Sequence, residues 1–271
     1  MRMASPGQPP AFLIIGAQKA ATTTLRRMLS RHPQIESARI KEVGHFSRDV
    51  HFGASLADYQ EHFKPLPWKR PIFFEATPEY LAWPGVAGRI ASAYPDIKLI
   101  AVLREPVSRA YSAWNMYGNM WKKGTLQDIL QKGKLIAGNR LPLLMEGREE
   151  IRPFRECLEI ERSLIENAEA FEPALIRRGL YLAQLQEYWQ HFPRERLLII
   201  GFSALKAEPQ GILDRVCAFL GLPRFELDAP PPKANEGDYA TTIDDADRAF
   251  LEEIYTAPNR ALFDEIGPVD W

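Results

Sequence analysis

Residues 11–29, AFLIIGAQKAATTTLRRML, place one lysine three positions beyond a strand-ending glycine and follow it with three consecutive threonines. An apolar run leading into Gly16 and then into a helical pattern is a strand, a tight turn and a helix N-terminus. Such a turn attracts anions, because the first N–H groups of a helix have no internal partner and the helix dipole is positive there. Lys19 adds a full positive charge, and Thr22, Thr23 and Thr24 add hydroxyl donors. A Walker A loop would need a second glycine, a lysine and a Ser/Thr where this chain has Ala21, Thr22 and Thr23. The dinucleotide fingerprint fails as well, since it requires three glycines where Gly16 stands alone. From this segment by itself, a phosphate-gripping turn and a βα turn that binds nothing both stay open.

A second segment, IKLIAVLREPVSRAYSAWNMY at 97–117, has the same logic. Its apolar run is short and bounded by Pro95 and Pro106, which suits a buried parallel strand followed by a helix with proline in its first turn. Arg104 leaves that strand at its C-terminal end, where open parallel sheets bind ligands, and Ser112 follows about two helical turns later. A guanidinium and a hydroxyl at that end suit a second phosphate. An Arg104–Glu105 surface pair or a helix-cap contact is the alternative reading.

Taken together, the two loops resemble those of the sulfotransferases that use 3'-phosphoadenosine 5'-phosphosulfate (PAPS). The resemblance is closest to the heparan sulfate type and its bacterial relatives. It extends through SRHPQI, KEVGHF at 41–46, FFEATPEYL at 73–81, GLYLAQLQEYWQHFP at 179–193, FLGLP at 219–223 and the final APNRALFDEIGPVDW, in family order. It implies an α/β fold: a central parallel sheet flanked by helices, P-loop-like. It also implies that Gly16, Gln18, Lys19, Ala20, Ala21, Thr22, Thr23 and Thr24 hold the 5'-phosphosulfate, that Arg104 and Ser112 hold the 3'-phosphate, and that Tyr181 joins the cofactor contacts. The product would be the bisphosphate PAP.

Sulfonate transfer needs a base for the acceptor's proton and positive charge for the departing phosphate. The resemblance places the glutamate base at Glu42, with Lys41 and His45 beside it, and Lys19 as the electrostatic partner of the leaving oxygen. Three departures stand out. Ala76 replaces the family's lysine in the segment EATPEY; Glu236-Gly237-Asp238 stands where a Lys-Gly-Arg would grip the cofactor; and KEVGHF carries an extra residue. Lys41, Lys233 and Asn235 are candidates for the missing grip. No metal is implied. The other readings are a P-loop-like small-molecule or nucleotide kinase, and a PAP-binding homologue without catalysis.

Composition suits an enzyme of ordinary size. The 271 residues are 46% hydrophobic with a net charge of −1, enough for a large core and without the basic field that draws in nucleic acid or a polyanion, which makes a heparan-like substrate less expected. The expected organisation is a disordered tail at 1–10 and a single sulfotransferase domain over 11–271, with 121–156 as a helical insertion or mobile lid on the acceptor side. Strands are expected at 11–15, 71–75, 97–103 and 196–202. Helices are expected near 22–31, 85–93, 106–121, 157–170, 173–190, 208–220 and 243–256, and Pro230–Pro232 as a stiff connector. Trp114, Tyr117 and Trp121 recur at helical spacing, which reads as core packing ahead of a substrate platform. No apolar run approaches the ~20 residues of a membrane span. Cys157 and Cys217 read as core thiols, so the expected setting is a reducing cytoplasm, bacterial, with a small-molecule, glycan, lipid or carrier-bound acceptor as partner.

Overall fold

The computed structural model describes residues 7–47, 52–53, 55–65, 71–133, 140–147, 149–169, 172, 174–229 and 242–271. Lys233, Asn235, the Glu236-Gly237-Asp238 run, the Pro230–Pro232 connector and the first six residues of the tail lie outside them. Where composition points to one domain or a core with a helical elaboration, the chain divides into two compact units. One comprises 1–104, 183–234 and 269–271, and the other 105–182 and 235–268.

The first unit is built on five parallel strands: β1 (Phe12–Gly16), β2 (Ile35–Ser37), β3 (Ile72–Ala76), β4 (Lys98–Leu103) and β5 (Leu197–Gly201). Their order is β2-β3-β1-β4-β5. Parallel neighbours need crossovers, and helices supply them: α1 (Thr22–Leu29), α2 (Leu56–Gln60) and α3 (Val86–Ala93) separate the first four strands. Residues on both faces of the central strands are fully buried, from Phe12 to Ile15 and from Leu99 to Leu103. That accounts for unbroken apolar runs in place of alternation. Phe12 pairs with Phe74 across β1 and β3, and the two rings stack at 4.8 Å.

The second unit is helical among its described residues. It holds α4 (Pro106–Lys122), α5 (Thr125–Gly133), α6 (Leu141–Met145), α7 (Phe154–Glu166), a 3-10 turn at Arg177–Gly179, the first two residues of α8 (Tyr181–Trp189) and all of α11 (Asp245–Ile266). Leu126, Leu130, Leu141, Leu144 and Met145, from the described part of 121–156, are buried in this unit's core. Tyr117 is buried in the same core; the Trp114 and Trp121 indoles pack against it and donate to the Arg152 and Glu149 carbonyls at 2.9 and 3.0 Å. The aromatic series is therefore core packing. Arg109 is wholly buried there, donating to the Leu175 carbonyl, while Glu161 accepts from Leu175 N at 2.8 Å and Arg177 N at 3.0 Å. Cys157 and Cys217 are buried and unpaired, and burial pushes the Cys157 thiol up to about 12.

Four sequence expectations need correction. β2 is an additional three-residue strand. The strand expected to reach 202 ends at Gly201, and α9 (Phe202–Ala207) begins there, followed by α10 (Pro209–Leu220). The helix expected over 173–190 starts only at Tyr181. The last helix continues to Ile266 with Pro258 inside it.

Candidate active site

β1 sits between β3 and β4, so the chain leaves the sheet in opposite directions after β1 and β4, and a crevice forms at such a switch point. The turn after β1 runs through Lys19 and Ala21, both in the left-handed region at φ 68° and 59°. These values cost a non-glycine residue of order 1–3 kcal/mol and mark a turn held by its surroundings. Gly16 cannot be replaced freely: an added Cβ would stand 2.6 Å from Leu81 Cβ. α1 then starts with no side-chain cap and no acidic residue in its first turn, which leaves its N–H groups to an external anion. Within the turn, Gln18 Oε1 is buried with no hydrogen-bond partner.

Arg104 follows β4 and reaches across to this turn. Its Nη1 donates to the Lys19 carbonyl at 3.0 Å, and its guanidinium lies over the Phe202 ring at 4.7 Å. The neighbouring Glu105 carboxylate caps α4, accepting from Val107 N at 2.8 Å and Ser108 N at 2.7 Å. Arg104 thus ties the two expected phosphate loops together. Ser112 and Tyr181 belong to the second unit, where both are buried, Ser112 on α4 and Tyr181 at the start of α8.

The segment holding Glu42 and His45 is anchored to the residues that follow β3. The Gly44 N–H donates to Thr77 Oγ1 at 3.4 Å, and the Phe46 N–H to Tyr80 Oη at 3.3 Å. Ser47 Oγ donates to the Gly44 carbonyl at 3.2 Å and also contacts Glu79, while Arg89 Nη1 donates to the Phe46 carbonyl at 3.1 Å. Glu42 itself is at φ 57°, with its side chain 48% exposed and its Oε1 2.8 Å from Lys41 Nζ. His45 is only 6% exposed; its ring stacks on Tyr59 at 4.7 Å and meets Phe46 edge-on. Of the two, Glu42 presents its side chain to solvent and His45 packs into an aromatic cluster. Lys41, a candidate for the missing cofactor grip, is the ion-pair partner of Glu42.

Sequence reading did not single out Glu75 and Thr77, which lie inside a family landmark. Glu75 is 1% exposed, and its Oε1 accepts from Thr77 Oγ1 at 2.8 Å. Burial pushes its carboxyl up to about 7, although the nearby Tyr80, Thr77 and Tyr59 hydroxyls favour the charged form. An acid inside an otherwise apolar strand is the signal that could have marked it.

The sulfotransferase domain family matches residues 9–229, which include β1 to β5 and both loops. The chain belongs to this family. Its fold is that of the PAPS-dependent sulfotransferases, as the resemblance of the loops implied. A bacterial sulfotransferase from Alicyclobacillus acidocaldarius superposes with a TM-score of 0.70 at 28% identity, covering 96% of each chain. Among curated proteins, heparan sulfate glucosamine 3-O-sulfotransferase 3B1 of Mus musculus is 30% identical over 82% of this chain and 48% of its own length. A bifunctional heparan sulfate N-deacetylase/N-sulfotransferase 1 of Caenorhabditis briggsae is 25% identical over 81% of this chain and 23% of its own. The chain spans about half the length, or less, of these curated relatives.

Family membership removes the ground for the kinase reading. The turn fits the anionic group of PAPS: an uncapped helix start without acidic residues, and the Lys19 and Arg104 side chains on two adjoining loops. No three His, Cys, Asp or Glu among the described residues form a group that could hold a metal, and no described helix is long and apolar enough to cross a membrane.

Proposed function

We propose that this sulfotransferase moves the sulfonate group of PAPS to an acceptor hydroxyl, with a glycan as the acceptor class. The observation that carries the reading is the Arg104–Lys19 contact, which joins a phosphate-binding turn and an arginine at the ends of neighbouring parallel strands. PAPS, when bound, supplies an activated sulfonate and a phosphate leaving group. The chain's own residues do the rest. Thr22, Thr23 and Thr24 and the first N–H groups of α1 hold the 5' end. Lys19 neutralises negative charge there. Arg104 reads the 3'-phosphate from the end of β4.

Glu42 is the general base of this reading. An exposed carboxylate paired with Lys41 can reach an acceptor hydroxyl approaching from solvent, a role worth about 10²–10⁴-fold in rate. The glycan acceptor is read from likeness to the heparan sulfate sulfotransferases, both 3-O- and N-type. The buried, unpaired Cys157 and Cys217 suit a reducing compartment.

Calorimetry tests the donor assignment. PAP should bind well above AMP, and Arg104→Ala should lose about 10- to 150-fold in PAP affinity and most of that preference. Equal affinity of the wild type for PAP and AMP would overturn it. Turnover tests the base: Glu42→Gln should bind PAP normally and slow PAP release from PAPS by about 10²–10⁴. A wild-type chain that binds PAP but never releases it from PAPS, with any acceptor or with water, would be the non-catalytic homologue.

A further inference from the structure

Glu75 lies on β3, opposite Leu13 of β1, among fully buried apolar side chains. A carboxyl there carries a desolvation cost that an apolar residue would avoid. Its Oε2 has no hydrogen bond of good geometry, although the Tyr80 and Tyr59 hydroxyls lie near enough to favour the charged form. Only Oε1 has a well-formed contact, from the Thr77 hydroxyl at 2.8 Å.

That contact has a direction. A threonine hydroxyl has one proton. Given to Glu75, it leaves the Thr77 oxygen free to accept the Gly44 N–H, two residues beyond Glu42. Thr77 is itself fixed to the sheet, because its own N–H donates to the Ile14 carbonyl at 3.1 Å. The turn it grips needs such support: Glu42 and Gly44 both have positive φ, 57° and 70°.

We propose that Glu75 is a positioning residue, which acts through Thr77 on Gly44 to hold the turn that presents Glu42. The inference rests on the reading of Glu42 as base. Ionised, Glu75 accepts the Thr77 proton more strongly than its neutral form and polarises the hydroxyl toward Gly44. The other titratable groups facing it are Tyr59, Tyr80, Tyr94 and Glu79. Burial holds the three tyrosines above their ordinary range, which keeps them neutral around pH 7, and Glu79 contacts Ser47. His45 packs on Tyr59, so the same cluster backs both ends of the turn.

Two variants keep shape and remove one link each. Thr77→Val should slow PAP release from PAPS, to water or to a desulfated heparan oligosaccharide, by about 10- to 100-fold with PAP affinity unchanged, and Thr77→Ser should restore the rate. Glu75→Gln cannot ionise. The Gly44 amide resonance, followed by heteronuclear NMR, should titrate near pH 7 in the wild type and stay flat in that variant. A wild-type rate for Thr77→Val, or the same Gly44 titration in Glu75→Gln, would overturn the proposal. Glu42→Gln measured alongside separates the two failures. If it turns over at the wild-type rate, the base reading is lost; if it is inactive while Thr77→Val is fully active, only the positioning role is lost.

Discussion

Glu42 and Glu75 are two carboxyls in opposite environments. Glu42 meets water and Lys41, while Glu75 is enclosed by the sheet and three tyrosines. The buried acid has a consequence for stability that can be measured without any acceptor. Its folded value is raised to about 7 from 4.5, so between those pH values the folded chain holds a proton that the unfolded chain has released. Folding stability contributed by this proton is therefore complete below about 4.5 and lost as pH rises through about 7, a total of about 3 kcal/mol at 1.36 kcal/mol per unit. Urea unfolding of the wild type and Glu75→Gln from pH 4.5 to 8 should show the variant gaining stability relative to the wild type as pH rises. A constant difference would mean that Glu75 ionises in the folded chain as readily as in the unfolded one.

At the scale of elements, the end of β4 and the start of α4 form one device. Leu103 completes the strand, Arg104 turns toward the β1 loop, Glu105 caps the helix, and Pro106 takes the first helical position, where its missing N–H is harmless. Glu105 satisfies two N–H groups that would otherwise lack partners, Val107 and Ser108. Glu105→Ala should cost about 0.5–2 kcal/mol in chemical unfolding. PAP affinity should fall much less than in Arg104→Ala, since the guanidinium keeps its contact with the Lys19 carbonyl. Unchanged stability would show that water or a neighbouring group replaces the cap. The KEVGHF turn has a comparable arrangement: its hydrogen bonds run to Thr77, Tyr80 and Arg89, so the EATPEY landmark is the platform on which that turn rests.

For the whole molecule, the decisive charges are local. The net charge is only −1, so neither a global basic field nor its opposite governs binding, and in the proposed reaction Lys19 and Arg104 act at short range. Phosphoryl-transfer enzymes built on a similar sheet keep an aspartate at a strand end to hold Mg²⁺. This chain has Arg104 after β4, and the sulfonate leaving PAPS carries less charge than a phosphoryl group, which Lys19 and the α1 N–H groups can meet. Turnover with PAPS should therefore survive excess EDTA. Loss of activity that returns on adding Mg²⁺ would count against this mechanism.

The sequence by itself determined the four longer strands and the family. These are local features: apolar runs buried on both faces, and motifs in a fixed order. It could not determine β2, because three residues give no measurable period and the strand exists only through pairing with β3. It could not show that Pro258 lies inside a helix that continues past it, a choice that local propensity disfavours and the surrounding packing overrides. Nor could it give Glu75 a role. The contact of Glu75 with Thr77 is local, but that of Thr77 with Gly44 spans 33 positions, and that of Arg104 with Lys19 spans 85. Side chains so far apart in sequence meet only because parallel pairing brings the C-terminal ends of β3, β1 and β4 side by side, and that alignment is a property of the sheet.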